Sequence, residues 1–382
     1  MKVAIVHYWL VSARGGEKVV EALCEMFPDA DVFCHVYDPS AVPVAISNHR
    51  IQTTFINRLP GARKHYKRYL PLMPLALESL DFRRYDLIIS SESGPAKGIV
   101  VPPGTLHICY CHTPMRYVWD LYHEYRTTAG RLTRLMMPYV MHYLRMWDFA
   151  SAARVDYFIA NSTHVAERIR KVYRRDSFVI HPPVNTDDFQ GPAEAVADFY
   201  LMVGELVPYK RADLAIRAFN RMGRKLVVIG GGEQLASLRK LAKENVELLG
   251  WQPWEVIREH YRACRALVFP GEEDFGIVPV EAMAAGRPVI AFNRGGARDT
   301  VIDGVTGVFF DEQTEEGIIE AVERFERCET TFSPDIIQAH ARTFHRDVFK
   351  RKMWEVISGL LTKHSYDVDR HDWRQDTAAT KC

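Results

Sequence analysis

The chain lacks paired cysteines, an apolar run long enough to cross a bilayer, and metal-ligand spacing. Its seven cysteines are odd in number and include no CxxC pair, so they read as core thiols of a reducing compartment and exclude a disulfide framework. Cys109 and Cys111 are the one close pair, and period-two spacing puts both on one face of a strand. No stretch of about 18 apolar residues occurs, so no spanning helix is expected. The opening MKVAIVHYWL has too short an apolar core for a signal peptide and reads as a first buried strand. HExxH and clustered Cys/His sets are absent, so no metal and no cofactor are expected. Two D-x-D strings exist, but Asp29-Ala30-Asp31 precedes a strand and Asp367-Val368-Asp369 lies in a polar tail, where both read as solvated charge. Net charge is only +1.

What is present fits a globular protein of more than one core. At 382 residues, two domains are the natural expectation. The small net charge hides an asymmetry. Residues 1–185 hold 23 Lys and Arg against 16 Asp and Glu, and the remainder is acidic. The two halves are thus expected to meet different partners.

Short apolar runs alternate with helical sequence throughout. Val3–Val6, Asp31–Val36, Leu87–Ser90, His107–Cys111 and Tyr157–Ala160 read as strands of a first half, with Gly15–Met26 as its first helix. After Pro182-Pro183 the pattern restarts with strands at Tyr200–Val203, Lys225–Ile229, Val246–Leu249, Ala266–Phe269, Pro288–Ala291 and Gly307–Phe310. Such alternation predicts parallel sheets covered on both faces. Ile180–Pro192 is the expected linker. Phe344–Leu361 reads as an amphipathic helix. The expected domains are 1–183 and 184–343, with 344–382 forming that helix, which has the option of crossing back to the first domain, and a tail. Tandem Rossmann-like domains bind ligands at the carboxyl ends of their strands, so a cleft between them is the expected site.

The densest chemistry lies in Glu272-Glu273-Asp274-Phe275-Gly276-Ile277-Val278-Pro279-Val280-Glu281-Ala282-Met283. This reads as a strand end, an acidic loop, a glycine turn and a short helix. Gly276 lets the backbone approach a ligand closely. The helix starting near Ile277 and Val278 offers N–H groups and a positive dipole end to a phosphate. Glu273 can hold hydroxyls beside that phosphate, and Glu281 can hold a ribose diol.

This string resembles the E-x7-E signature of retaining glycosyltransferase family 4 (group 1), with Glu273 and Glu281 as the two acids. The resemblance implies an α/β fold of the GT-B type, with two facing Rossmann-like domains and an inter-domain cleft. It implies a nucleotide-diphosphate sugar donor held mostly by the second domain and an acceptor held mostly by the first. Val203-Gly204-Glu205-Leu206-Val207-Pro208-Tyr209-Lys210-Arg211 resembles the family's diphosphate loop, and Lys210 matches its lysine. Its arginine position is occupied by Glu205, so Arg211 or another cation is expected to substitute, and Glu205 is expected to pair with a neighbouring cation. Arg14-Gly15-Gly16-Glu17-Lys18 matches the N-terminal glycine loop. His112, in Tyr110-Cys111-His112-Thr113-Pro114-Met115-Arg116-Tyr117, matches the histidine aimed at the donor sugar. The resemblance thus implies His112, Lys210 and Glu273 as catalytic residues. It implies Gly15, Gly16, Arg211, Gly276, Ile277, Val278 and Glu281 as substrate-binding ones.

The strings HYWL, RGGEKV, YCHTPMRYVWD and VPYKRADLAI are most similar to bacterial mannosyltransferases of O-antigen and exopolysaccharide assembly. They imply GDP-mannose as donor and a polyprenyl-diphosphate-linked saccharide as acceptor. Arg58–Leu75 and Arg131–Met137 mix basic, aromatic and apolar residues, which suits an anionic membrane surface. No nucleic-acid motif accompanies the basic charge, so no nucleic acid is expected. The expected location is cytoplasmic and peripheral, on the inner face of the membrane. A UDP-sugar transferase, an epimerase, or a noncatalytic sugar-nucleotide-binding protein are the alternatives.

Overall fold

The computed structural model describes residues 1–12, 15–189 and 195–364. Arg14, Asp367 and Asp369 lie outside the described residues. The chain forms two compact units, Met1–Pro183 with Phe349–Cys382, and Val184–Val348.

The first unit is built on a seven-stranded parallel sheet. Its strands are β1 (Val3–His7), β2 (Asp31–Cys34), β3 (Ile51–Thr53), β4 (Leu87–Glu92), β5 (Leu106–Cys111), β6 (Tyr157–Ala160) and β7 (Ser177–Val179), in the order β3-β2-β1-β4-β5-β6-β7. Every residue of β1, β4 and β5 is buried, as a sheet covered on both faces requires. Helix Gly15–Met26 turns Val19, Val20, Leu23 and Met26 onto the sheet. Cys109 and Cys111 do share a face and pack with Phe158, Ala160 and Ile169.

The second unit has six strands: β8 (Tyr200–Val203), β9 (Leu226–Ile229), β10 (Val246–Gly250), β11 (Leu267–Phe269), β12 (Val289–Phe292) and β13 (Gly307–Phe310). They run parallel in the order β10-β9-β8-β11-β12-β13. The Ile180–Pro192 segment, expected to be a linker, is built into this unit from Val184 to Phe189. The amide of Val184 bonds to the carbonyl of Phe344 at 3.1 Å, and Val184, Thr186 and Phe189 are buried.

Helix Arg346–Lys363 belongs to the first unit from Phe349 onward. Phe349, Met353, Ile357, Leu360 and Leu361 lie on one helical face and join the core around Val3, Ile5, Val19 and Ile108. Lys350 pairs with Glu25 of the first helix.

In both sheets the strand order reverses once, between β1 and β4 and between β8 and β11. The loops leaving the carboxyl ends of these paired strands splay to opposite faces, and ligands bind in the opening. This topology fixes where chemistry can be placed. In the first unit the relevant loops follow His7, Glu92 and Cys111. In the second they follow Val203, Phe269 and Phe292.

Candidate active site

The second unit brings Lys210 and Glu273 together across its switch point. Lys210 ends a short turn after β8, Glu273 sits in the loop after β11, and Nζ lies 3.0 Å from Oε1. Both side chains are largely buried, 14% and 19% exposed. Burial alone pulls the Lys210 ammonium down. The Glu273 carboxylate outweighs it, with Tyr209 and Glu205 adding, and holds its pKa above the ordinary lysine value.

The backbone explains this close approach. Arg211, directly after Lys210, adopts a left-handed conformation with φ of 54°, a strained state for a residue with a side chain. Gly271 lets the β11 loop lie against it, since an added Cβ would sit 2.8 Å from the Lys210 Cα. The loop after β12 supports the acid from behind. Gly296 donates its amide to the Glu273 carbonyl at 2.8 Å, and a Cβ on Gly296 would meet the Phe275 backbone at 2.3 Å. The Gly295-Gly296 pair is therefore the floor of the Glu273 loop.

Helix Ile277–Ala284 begins beside Glu273 behind Gly276, which takes φ of 84°, and no side chain among the described residues caps it. Pro279 stands in the first turn, where a missing N–H costs no helical bond. The N–H groups of Ile277 and Val278 remain as the first-turn donors. Lys210 and this helix end are both positive, a pairing suited to a diphosphate.

Glu281 lies in the same helix. It is buried, 6% exposed, and accepts a hydrogen bond from the Tyr261 hydroxyl at 3.0 Å. One carboxylate oxygen is thus held in orientation by a residue that the sequence reading assigned only to a helix. Arg211 donates to Asp213 at 3.3 Å and to Gln313 at 3.0 Å. Glu205 is exposed, and its charge bears on Lys210.

In the first unit, Gly16 and His112 are neighbours. A Cβ on Gly16 would lie 2.9 Å from the Tyr8 hydroxyl and 3.7 Å from His112 Nε2. Gly15 and Gly16 open the first helix. His112 leaves β5, and its Nε2 is 2.9 Å from Ser91 Oγ. Burial pulls its pKa down to about 4, so the imidazole is neutral at physiological pH. His7, buried against Ser91 and His112, is pulled down to about 3 by the same desolvation. Ser91, Glu92, Lys97 and Asp148 surround this histidine segment but went unnoticed in the sequence. The available signal was an acid, Glu92, ending an apolar strand.

Comparison with known proteins agrees with this architecture. The family Glycosyltransferase Family 4 matches residues 13–188, and Glycosyl transferases group 1 matches residues 184–342. An uncharacterised glycosyltransferase of Methanocaldococcus jannaschii is 30% identical over 172 residues, 44% of this chain and 48% of that protein. A GDP-mannose-dependent alpha-(1-6)-phosphatidylinositol monomannoside mannosyltransferase of Mycolicibacterium smegmatis is 31% identical over 170 residues, 37% of this chain and 44% of that protein. The chain thus matches less than half the length of either relative. Anabaena HepE, solved with UDP and glucose, shares the fold at a TM-score of 0.68 and 16% identity, covering 94% of this chain and 99% of that one. With two Rossmann-like units at the matched positions, the chain belongs to the group 1, family 4 glycosyltransferases and has their GT-B fold.

Proposed function

We propose that the chain is a retaining glycosyltransferase that moves mannose from GDP-mannose to a polyprenyl-diphosphate-linked saccharide, working from an anionic membrane surface. The observation that carries the transferase reading is the Lys210–Glu273 pair beside the uncapped start of helix Ile277–Ala284.

In the reaction, the bond from the sugar C1 to the donor diphosphate breaks as a bond from C1 to the acceptor oxygen forms on the same face. The acceptor proton passes to the departing phosphate oxygen. Negative charge grows on the diphosphate, and Lys210 with the N–H groups of Ile277 and Val278 opposes it. Groups fixed in place before charge develops are the effective ones, and the ion pair with Glu273 fixes Lys210. Glu273 also takes sugar hydroxyls, Glu281 takes the ribose diol, and His112 contacts the transferred sugar. Gly15, Gly16, Gly276 and Arg211 line the substrate.

The mannose reading is supported by the mannosyltransferase relative. The membrane reading is supported by helix Arg131–Ala152, which exposes Leu132, Leu135, Met136, Tyr139, Tyr143, Met146 and Phe149. Arg131 and Arg134 are exposed beside them, and the helix's one acid, Asp148, is buried. No described helix is long and apolar enough to cross a membrane.

Purified protein incubated with GDP-mannose, UDP-glucose or UDP-N-acetylglucosamine and a lipid-linked acceptor, with and without EDTA, tests the reading. Mannose transfer with retained anomeric configuration is expected, and it persists in chelator because Lys210 and the helix end supply the positive charge. Turnover of a UDP-sugar alone overturns the donor assignment.

A further inference from the structure

Three ionisable side chains are shut inside the first unit. Lys97, Glu92 and Asp148 are each 0% exposed. Lys97 Nζ lies 2.8 Å from Glu92 Oε1 and also contacts Asp148 Oδ1. The Lys97 amide donates to Glu92 Oε2 at 2.7 Å. The Tyr173 hydroxyl donates to the two Asp148 oxygens at 3.1 and 3.0 Å, and the Lys97 ammonium sits 4.8 Å from the Tyr173 ring centre. Burial pushes the Glu92 carboxyl up to about 7 against the pull of Lys97. Desolvating three charges is expensive, and well-packed apolar side chains of equal volume are commonly as stable. Stability therefore does not account for the cluster.

Its contacts do. The chain leaves β5 at His112 and runs to Trp119 before turning toward helix Arg131–Ala152. One end of this run is tied to strand β4 beside the cluster, and the other to the cluster itself. At the start, His112 donates its amide to the Glu92 carbonyl at 2.6 Å, and Ser91, the residue before Glu92, meets the His112 ring through Oγ at 2.9 Å. At the far end, the Trp119 indole donates to Asp148 Oδ2 at 2.7 Å, and Arg145 Nε holds the Val118 carbonyl at 2.6 Å. Ser91 itself is 0% exposed, and its carbonyl meets His7 Nδ1 at 3.1 Å. That contact makes Nδ1 the protonated nitrogen of His7 and fixes this strand end from its other neighbour.

We infer that Ser91 and the buried Lys97–Glu92–Asp148 cluster are positioning residues, which clamp the segment His112–Trp119 at its two ends and hold the His112 ring in one orientation. The charged cluster supplies what apolar packing cannot: directional bonds to a loop that carries few of its own. The inference rests on the transferase reading for the role of His112, but the clamp itself is a property of the first unit alone.

The test uses the full chain with Ser91→Ala, Asp148→Asn and Trp119→Phe, each alone and combined with His112→Ala. Turnover, KM, GDP affinity by calorimetry and the side-chain ¹⁵N resonances of His112 are read. Ser91→Ala is expected to lower kcat roughly threefold to tenfold, leave GDP affinity unchanged, and move the His112 ring resonances. In the His112→Ala background it should cause no further loss, because its effect passes through that ring. If Asp148→Asn fails to fold, Trp119→Phe removes one donor from the same carboxylate and decides the role of the cluster through the same readouts. Unmoved His112 resonances, or losses that multiply fully in the His112→Ala background, overturn the clamp. Absence of transfer by the wild type refutes the transferase reading instead, and the ¹⁵N spectra then still decide the clamp.

Discussion

The ammonium of Lys210 and the carboxylate of Glu273 stand 3.0 Å apart, so the cation for the diphosphate and the acid for the sugar hydroxyls are one electrostatic unit. Neither can be changed alone. Lys210→Ala is expected to lower kcat about 10²–10³-fold. Glu273→Gln keeps the shape but removes the charge that outweighs the burial of Lys210. The alkaline limb of its kcat/KM profile should then move to lower pH relative to wild type. A pH–rate series on the three proteins checks both points, and an unmoved limb in Glu273→Gln means that the pair does not tune the lysine.

Tyr261 holds one oxygen of Glu281. Losing one buried hydrogen bond of this type costs about 1 kcal/mol, so Tyr261→Phe should weaken GDP binding roughly threefold to tenfold with kcat little changed. Glu281→Ala should weaken it further, since a ribose contact acts equally on ground and transition states. Calorimetric titration of both variants and their double mutant checks this. Fully additive losses argue against coupling through the Tyr261 bond.

Four buried histidines make the fold acid-sensitive. Burial pulls His7 and His35 down to about 3, and His107 and His112 down to about 4. Unfolded histidine titrates near 6.5, so below that value the unfolded chain binds protons that the native chain refuses. Their stabilising contribution is complete above pH ~6.5 and falls by up to about 1.4 kcal/mol per histidine for each pH unit below it. Glu92, pushed up to about 7, works in the opposite sense as a single group. Melting temperature should therefore drop from pH 7 to pH 5, and His107→Gln should flatten the drop. A melting series over that range that stays level contradicts the assignment of these groups as buried and neutral.

The exposed stripe on helix Arg131–Ala152 should govern lipid binding. Leu135→Glu with Tyr139→Glu places two acids in a basic, apolar face. Each basic residue near an anionic surface contributes about 1 kcal/mol, so the double variant should bind anionic vesicles at least tenfold more weakly. Its GDP affinity should stay unchanged. Cosedimentation with anionic and neutral vesicles checks this, and equal binding by the variant rules out the stripe as the contact.

The strand–helix alternation was readable because strands buried on both faces leave unbroken apolar runs, as in Val3–Val6 and Leu87–Ser90. β3 and β7 escaped notice because they are three-residue edge strands with few apolar residues. Glu273, Gly276, Lys210 and His112 stand out as candidates because motif residues keep a fixed order in the sequence. Their mutual geometry was not legible: Lys210 and Glu273 meet only once two strands pair across β8 and β11. The Tyr261–Glu281 bond and the Lys97–Asp148 contact were invisible for the same reason, since their partners lie 20 and 51 residues apart. The bond from Arg211 to Gln313, 102 residues away, is likewise outside what sequence order shows.

Helix Arg346–Lys363 gives the chain an unusual birth order. The floor of the first sheet, around Val3, Ile5 and Ile108, is covered by Phe349, Met353, Ile357 and Leu361. On the ribosome those four residues emerge only after all of Val184–Val348 has been made. At bacterial-type speeds of about 5–20 residues per second, that delay is on the order of ten to thirty seconds. For this interval the first sheet exists with an uncovered apolar side while the later unit completes itself. The unit begun first is finished last. A stop codon just ahead of Phe349 therefore releases a protein whose second half is sound and whose first half is sticky, a natural client for chaperones and proteases.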